Sequence, residues 1–332
     1  TGGKCLITST PNSDEDQFAM IWKEANKRFD EYGNDKVIGT NGFYAMKAHW
    51  SEHPDRDEAW ADTERSRIGE ERFRREHECE FLIFDETLIS SLTLADMEGV
   101  PPVETTGQVR WFKRPTPGHT YLTSLDPSMG TGGDYAAIQV FELPTFEQVG
   151  EWHHNMTPMN QQVRILQGIN KHIHDSIIEK DASASPQIFY SMENNTIGEA
   201  ALMRVMDIGE ENIMGMFLSE PIRKGHRRKF RRGFNTTAKH KIDACTKFKE
   251  LVEGSKMKIN SQLLISEMKD FVATGLSYKA KPGQHDDLVS SCLLMTRMMK
   301  VLADFDPKIF EKWTDRSSEM TTPMPIFGNF YG

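Results

Sequence analysis

The stretch Leu122–Leu143 reads LTSLDPSMGTGGDYAAIQVFEL and decides how the middle of this 332-residue chain folds. An apolar run ends at Asp126, a glycine-rich loop follows, and a second acid, Asp134, precedes another apolar run. Both runs have the length and composition of β-strands. Such a loop can cradle phosphate with its backbone, or it can join two strands that present carboxylates to a metal ion.

The phosphate-binding interpretation fails on residue types. A Walker A loop needs a lysine, and none lies between Asp126 and Leu143. For a dinucleotide fingerprint Gly130 and Gly132 fit, but Tyr135 stands at the third glycine position and a strand, not a helix, follows. The loop therefore joins strand to strand, which leaves the metal interpretation.

The neighbouring segments predict an α/β fold. TYLTSLD (120–126), YAAIQVFEL (135–143) and EQVGEWHH (147–154) form an antiparallel meander, joined by short breaker-rich turns. A helix over 163–177, a strand QIFYSME, a second helix and a fifth strand NIMGMFLS follow, and then helices over 239–253, 261–273 and 285–302. This order is that of a ribonuclease-H-like domain, a mixed central sheet flanked by helices.

The first hundred residues have a different pattern. Residues 1–10 predict a strand, 14–32 an amphipathic helix, 33–50 one or two further strands, and 54–80 a solvated helical pair. Breaker-rich segments place a boundary near 100–118. We expect an N-terminal domain over 1–100, a linker over 101–118, the ribonuclease-H-like domain over 119–302 and a tail over 303–332.

Acidic residues stand at the ends of three predicted elements. Asp126 and Glu193 each end a strand, and Asp286 and Asp287 begin the last helix. Asp134 also suits an ordinary turn, and Asp286 an ordinary helix cap. Because Asp126 and Glu193 end apolar runs, they predict a carboxylate site for a hard divalent cation such as Mg²⁺ or Mn²⁺.

The charge distribution points to a polyanionic partner in spite of a formal net charge of −9. The segment 223–241 contains nine Lys and Arg residues and no acid. We expect these cations to contact the DNA backbone without reading its sequence. They are Arg223, Lys224, Arg227, Arg228, Lys229, Arg231, Arg232, Lys239 and Lys241.

The chain carries neither a predicted membrane span nor a disulfide framework. No apolar run approaches the length of a bilayer-spanning helix. The four cysteines are far apart and form no CxxC pair, which predicts reduced thiols in a cytoplasm. The start, TGGKCLITSTPN, has no features of a secretory signal, and we expect the chain to be a fragment of a longer protein.

Four motifs in this order resemble the large terminase subunit of tailed bacteriophages, in the branch that packages DNA by a headful scheme. SLDPSMGTGGDYAAI, YSMENNTIGEA and HDDLV are similar to the three acidic motifs of its nuclease domain. LITSTPN is similar to the motif that couples ATP hydrolysis to DNA movement, which here comprises Thr8, Ser9, Thr10, Pro11 and Asn12. GFNTTAKHK is also a string familiar from the family.

The resemblance implies an endonuclease that cuts double-stranded viral DNA with two Mg²⁺ or Mn²⁺ ions. It assigns Asp126, Glu193 and Asp287 to the metal-binding triad and Asp134 to an accessory position, with Asp286 as the alternative to Asp287. His285 stands beside these acids and could assist water deprotonation or contact phosphate.

The resemblance also describes the whole motor. Residues 1–100 would be the rear part of a P-loop-type ATPase domain. Because the Walker A lysine and the Walker B acids are not in this chain, ATP would serve only the full-length protein. Its partners would be double-stranded DNA, the portal protein and the small terminase subunit, with a ring formed only in the assembled motor, in the cytoplasm of an infected bacterial host.

Two alternatives remain at this stage. A Holliday-junction resolvase or DDE-type transposase shares the fold and the carboxylates, although neither explains the LITSTPN segment. A part of the motor that grips DNA, in which cleavage is incidental, would use the same basic run.

Overall fold

The run that ends at Asp126 forms an inner strand of the main sheet, and every residue of it except that aspartate is buried. The computed structural model describes residues 4–11, 17–28, 36–81, 87–220, 232–275 and 277–305. It divides into two compact units, Thr1–Met97 and Glu98–Gly332. The predicted boundaries, with a linker over 101–118, stay a prediction.

The strands of the second unit are β1 (Glu104–Thr106), β2 (Val109–Trp111), β3 (Thr120–Asp126), β4 (Ala136–Leu143), β5 (Glu147–His154), β6 (Gln187–Met192), β7 (Met216–Phe217), β8 (Phe271–Thr274) and β9 (Ser277–Ala280). Its helices are α5 (Met159–Lys180), α6 (Thr196–Ile208), α7 (Ala238–Glu253), α8 (Gln262–Asp270) and α9 (Asp287–Phe305). A short 3₁₀ turn covers Glu210–Asn212.

The main sheet has the order β1-β2-β5-β4-β3-β6-β7. Strands β3, β4 and β5 form the antiparallel meander, and β6 and β7 continue from β3 in parallel. Helices connect the parallel strands, as parallel crossovers require. The predicted ribonuclease-H-like fold with a mixed sheet is thus confirmed.

The two faces of the sheet are covered by different helices. Tyr121 and Leu125 belong to the core cluster that includes the apolar side of α5. Because successive side chains of a strand point to opposite faces, Ser124 and Asp126 lie on the other side. There Ser124 Oγ donates to the carbonyl of Ser291 in α9 at 2.9 Å. Asp126 therefore faces the side of the sheet on which α9 packs.

Several details differ from the sequence-based expectation. Residues 101–118 contain β1, which pairs with β2, and β2, which also pairs with β5; strands of three residues between Pro and Gly are too short to show alternation. The expected helix over 261–273 ends at Asp270, and the hairpin β8–β9 follows, with a positive φ of 60° at Gly275. Helix α9 continues to Phe305, beyond the expected start of the tail, and residues 306–332 lie outside the described residues.

The first unit contains α1 (Gln17–Asn26), α2 (Glu58–Ile68), α3 (Glu70–His77) and α4 (Ser91–Asp96). A 3₁₀ turn covers Trp50–Glu52. The predicted helical pair over 54–80 is confirmed as α2 and α3, which enclose a small core of Trp50, Ala61 and Phe73.

Two expectations for this unit were wrong. Residues 4–11 and 36–49 contain no strand, because the described residues offer them no neighbouring strand with which to pair. Helix α1 ends at Asn26 rather than near residue 32, since the carbonyls of Lys27 and Arg28 accept hydrogen bonds from Thr40 and Lys36. The assignment of residues 1–100 to an ATPase domain stays a prediction.

No helix within the described ranges combines the length and the apolar character that crossing a membrane demands.

Candidate active site

Asp126 and Glu193 lie side by side at the ends of two parallel neighbours. In the register of β3 and β6, Leu125 stands beside Met192, so the next pair along the strands is Asp126 and Glu193. The Glu193 N–H donates to the Leu125 carbonyl at 3.2 Å, which extends this pairing by one residue. The two carboxyl groups are within hydrogen-bonding reach of each other.

The two acids at the start of α9 are held by different backbone groups. Asp287 Oδ2 accepts the N–H of Tyr135, directly before β4, at 3.3 Å. Asp286 Oδ2 accepts the N–H of Ala280 in β9 at 3.3 Å. Asp287 is thus tied to the meander that carries Asp126, whereas Asp286 is tied to the hairpin.

The glycine loop connects β3 to β4 and folds back on the segment after β5. Gly130 has a φ of +68°, and a Cβ there would lie 2.1 Å from the Thr157 carbonyl oxygen, so only glycine fits. The Gly132 N–H donates to the Asn155 carbonyl at 2.9 Å. These contacts explain the glycines without phosphate. Asp134 in this loop is exposed and acts electrostatically on Asp287.

Burial and mutual repulsion oppose ionisation of these acids. Burial, with the adjacent Glu193 carboxyl and the charges of Asp287 and Asp286, raises the pKa of Asp126 well above its ordinary value. Burial also raises the pKa of Asp287 to about 6, although the Tyr135 N–H acts against it. Of the two α9 acids, Asp287 affects the pKa of Asp126 more than Asp286 does.

A cavity of about 160 Å³ opens over Asp126 and Glu193 and has room for several water molecules. It is bounded by the N-terminal turn of α7 and by one side of α9. Lys241 brings positive charge to this space, with its Nζ 3.9 Å from Asp286 Oδ2. The remaining lining residues are Thr236, His240, Ala244, Ser290, Leu293, Leu294 and Arg297.

The donor set fits a hard divalent cation. Asp126, Glu193 and Asp287 offer carboxylate oxygens, the ligands that Mg²⁺ and Mn²⁺ prefer. Burial and the adjacent Glu193 carboxyl oppose ionisation of Asp126 by raising its pKa, and a cation bound between the two groups would relieve their repulsion. In the part of the chain that the structure describes, no three His, Cys, Asp or Glu side chains form a closed metal-binding group. The acids instead form one close pair with two neighbours held on backbone N–H groups.

The other predicted site residues are spread more widely. His285 Nδ1 lies 3.7 Å from Asp287 Oδ2, and the ring meets Tyr135 edge-on at 4.8 Å between centroids. Arg232 forms an ion pair with Glu210, so its charge is compensated within the fold. Lys239 is exposed on the first turn of α7. The remaining basic residues lie outside the described residues: Arg223, Lys224, Arg227, Arg228, Lys229 and Arg231.

The segment similar to the coupling motif is largely exposed. Thr8, Ser9 and Thr10 are exposed and Pro11 is buried, in a stretch without regular secondary structure. Asn12 lies outside the described residues. The role of the whole segment in ATP coupling stays a prediction.

Sequence reasoning missed three residues around the site: Arg297, His240 and Glu267. Arg297 donates to the Asn235 carbonyl at 3.0 Å and to Thr236 Oγ1 at 3.0 Å, and its guanidinium lies over the Phe234 ring. An arginine in the apolar run SSCLLMTRMM was the available signal for it. For Glu267 the signal was an acid on the apolar side of α8, beside Leu264 and Met268. For His240 we find no signal in the sequence.

Comparison with known proteins places this arrangement in a family. Residues 123–298, more than half of the chain, match the family model described as the terminase RNaseH-like domain. Among solved structures, the large terminase nuclease from thermophilic phage G20c with bound magnesium is similar: 18% identity, 64% of this chain and 97% of that chain covered, TM-score 0.47.

Two further structures are similar at the same level. The large terminase nuclease domain of Thermus phage P74-26 has 18% identity, with 61% of this chain and 90% of that chain covered and a TM-score of 0.44. The human cytomegalovirus terminase nuclease domain, Mn-soaked and inhibitor-bound, has 13% identity, with 63% and 93% covered and a TM-score of 0.41.

A mixed sheet in the order of the ribonuclease-H-like fold, with acids at the ends of its two central parallel strands, defines a protein of the ribonuclease-H-like class. The match over residues 123–298 makes the class more specific. This chain belongs to the terminase RNaseH-like domain family, and the predicted relation to large terminase subunits is confirmed.

Proposed function

We propose that this chain is the nuclease part of a phage DNA-packaging motor and cuts double-stranded DNA with the help of two divalent metal ions. The observation that carries the proposal is the Asp126–Glu193 pair, two acids placed side by side at the ends of the parallel neighbours β3 and β6 and facing one cavity. If the two acids had only a structural role, a basic side chain would be expected to pair with them, as buried charges are normally paired.

The acids around the cavity would have different roles in metal binding, according to the element that carries each of them. Asp126 and Glu193 would hold metal from the sheet, and Asp287 would hold it from the start of α9, with Asp286 and Asp134 tuning the local charge. When bound, Mg²⁺ or Mn²⁺ ions activate water and stabilise the leaving oxygen of a phosphodiester. The Tyr135 N–H orients Asp287 through its hydrogen bond to Oδ2.

The cations beside the acids suit a phosphate-bearing substrate. Lys241 lines the cavity together with Asp126, and Lys239 is exposed two residues earlier. Contacts of this type attract the DNA backbone and carry no base specificity. The cleavage would therefore depend little on sequence and strongly on salt.

The wider assembly follows from family membership and is part of the same proposal. The chain would act with the ATPase part of the same subunit, with the portal protein and with the small terminase subunit, in the cytoplasm of an infected bacterial host. The match to the terminase family model favours this role over a Holliday-junction resolvase or a transposase.

The test is plasmid cleavage by the purified chain in Mn²⁺ or Mg²⁺. We expect Asp126→Ala and Glu193→Ala each to lower the cleavage rate by more than about 100-fold, because loss of a ligand should exceed the effect known for groups that only support ligands. The matched control is Asp207→Ala, an exposed acid on α6 paired with Arg204, which should cut normally. Undiminished cutting by both site variants, or DNA binding without any cutting by the wild type, would refute the nuclease assignment.

A further inference from the structure

We propose that Glu267 is a positioning residue that sets the metal-binding acids at the start of α9. The inference rests on the proposed function and adds a residue from α8 to the site. Glu267 forms no hydrogen bond with Asp126 or Glu193. It contacts the helix that begins with Asp287, and it lies beside the His153 ring, which stacks on Tyr135.

The first contact of Glu267 is with the N-terminus of α9. Glu267 Oε2 accepts the N–H of Leu288 at 2.8 Å and the N–H of Val289 at 3.1 Å. These two groups belong to the first turn of α9, where N–H groups have no partner within the helix. One oxygen of the Glu267 carboxyl group thus fixes the helix start directly after Asp287.

This cap replaces the one that a neighbouring side chain normally provides. The residue before α9, Asp286, would ordinarily accept an N–H from the first turn. Its Oδ2 instead accepts the Ala280 N–H in β9. Because Glu267 satisfies the helix start from another element, Asp286 and Asp287 are free to point their carboxyl groups elsewhere.

The second contact runs towards the other support of Asp287. Glu267 Oε1 lies 3.6 Å from His153 Nε2 on β5. The His153 ring stacks on Tyr135, with 4.1 Å between the ring centroids and 19° between the planes. Tyr135 in turn donates its N–H to Asp287 Oδ2. Glu267 therefore contacts both structures that determine where Asp287 lies: its helix and, through His153, its hydrogen-bond donor.

The helix that carries Glu267 is itself firmly attached to the sheet. The N-cap of α8, Ser261, donates from Oγ to Glu151 Oε1 at 2.5 Å, and its N–H donates to Gln148 Oε1 at 2.8 Å. Both acceptors are buried residues of β5, the strand that also carries His153. Helix α8, which carries Glu267, is thus attached to β5 by two hydrogen bonds.

The position would be filled by an apolar residue if packing alone decided. Glu267 is only 9% exposed and shares the buried side of α8 with Leu264, Ile265 and Met268. Burying a carboxyl there costs free energy unless hydrogen bonds compensate it. The two N–H groups of α9 supply that compensation, and the benefit is a fixed start of the helix.

The experiment compares three substitutions in the full chain by their affinity for Mn²⁺, measured by electron paramagnetic resonance. Glu267→Gln retains an oxygen that can accept both N–H groups. Glu267→Asp keeps the carboxyl group but withdraws the oxygens by one methylene, and Glu267→Met keeps the volume but has no strong acceptor. We expect Gln to bind Mn²⁺ within about threefold of wild type, and Asp and Met to bind about 10- to 100-fold more weakly, as for other groups that support metal ligands.

The matched control is Glu142→Ala, at the opposite end of β4, where another buried glutamate bonds to Lys113 and Thr145. It should lower the melting temperature and leave Mn²⁺ affinity unchanged. The proposal would be overturned if the Gln variant lost as much Mn²⁺ affinity as the Asp and Met variants, or if the Asp and Met variants lost none. It would also be overturned if Glu142→Ala lost as much Mn²⁺ affinity as they do. Because Gln and Asp both alter the site mildly, they decide the question even if the Met variant does not fold.

Asp126→Ala, measured in parallel, separates the two proposals. If the wild type binds no Mn²⁺, or if Asp126→Ala binds it equally well, the proposed metal site itself is wrong and the role of Glu267 falls with it. If Asp126→Ala abolishes binding and the Glu267 variants do not alter it, only the inference about Glu267 fails.

Discussion

Acids cluster near both ends of strand β4, and the two clusters differ in what surrounds them. At one end lies the carboxylate cluster, Asp126, Glu193, Asp286 and Asp287, in which burial and the neighbouring acids raise the pKa of Asp126 and of Asp287. At the other end lies the lysine-paired cluster, Glu142 and Glu147 with Lys113 and Lys258. Lysine side chains hydrogen-bond to the paired acids of the second cluster, whereas at the first cluster Lys241 Nζ lies 3.9 Å from Asp286 Oδ2. The same residue type therefore serves stability in the second cluster and forms a candidate metal site in the first.

The lysine-paired cluster shows how a fold neutralises opposed acids. Glu142 and Glu147 are cross-strand partners, which places like charges opposite each other. Lys113 Nζ hydrogen-bonds to Glu142 and lies 3.2 Å from Glu147 Oε2. Burial opposes ionisation of Glu147, yet the hydrogen bonds from Lys258, Asn260 and Lys113 outweigh it and lower its pKa. Hydrogen bonds thus satisfy both acids without any ligand.

The largest expected effect tests this cluster. Lys113→Met should lower the free energy of unfolding by about 3 kcal/mol, because it removes the lysine that hydrogen-bonds to the buried Glu142 side chain. Urea unfolding measures the loss, and cleavage by the folded fraction should not change. Arg204→Met removes the exposed partner of Asp207 and, as the control, should cost less than about 1 kcal/mol. A loss below 1 kcal/mol in Lys113→Met would show that the two clusters do not differ in this way.

The next effect tests the carboxylate cluster with a cation supplied from solution. At a Mn²⁺ concentration 100 times the dissociation constant, wild-type stability should rise by about 2.7 kcal/mol. Asp126→Asn should lose this gain. Without metal, it should be at least as stable as the wild type, because it removes an acid whose ionisation burial and Glu193 oppose.

Unfolding curves in EDTA and in Mn²⁺ check both halves of this prediction. Asp207→Asn, which alters an exposed acid on α6, should respond to Mn²⁺ as the wild type does. If Asp126→Asn is clearly less stable than wild type in EDTA, the cluster contributes to the fold in the manner of Glu142, and the comparison between the two ends of β4 does not hold.

The sequence revealed the elements that end in an acid. Asp126 and Glu193 follow apolar runs that became buried strands, and Asp287 begins an apolar helix; these local signals are visible without any contact map. The meander was equally clear, because β3, β4 and β5 are long and separated by short turns.

The sequence could not reveal which acids have a cation beside them. Lys113 and Glu142 are 29 positions apart, and nothing in either segment indicates that they meet. Strand β8 of the hairpin overlaps the end of a helix expected over 261–273, and β9 was not expected, since strands of four residues show too little alternation. The role of Glu267 depends on α9, which begins 20 residues later, so only the acid on an apolar helix side was visible.

The smallest expected effect is the change in stability per pH unit that Glu267 causes. This acid belongs to neither of the two clusters. Burial raises its pKa to about 9, against the effect of the Val289 and Leu288 N–H groups. An acid whose pKa is higher in the folded than in the unfolded state keeps a proton on folding, so stability falls as pH rises from about 4.5 to about 9. The slope for one group is at most about 1.4 kcal/mol per pH unit.

Comparison of wild type with Glu267→Gln isolates this contribution without metal. Asp126 and Asp287 titrate in both proteins with the same sign, and the pKa of His153, which burial and then Arg110 lower to about 4, leaves that ring neutral throughout. Between pH 6 and 8 the wild type should therefore lose stability relative to the variant, as measured by urea unfolding in EDTA. Parallel curves for the two proteins would mean that Glu267 is already ionised in the folded state. It would then resemble Glu147, an acid that its hydrogen bonds keep charged, and the division between the two ends of β4 would not extend to α8.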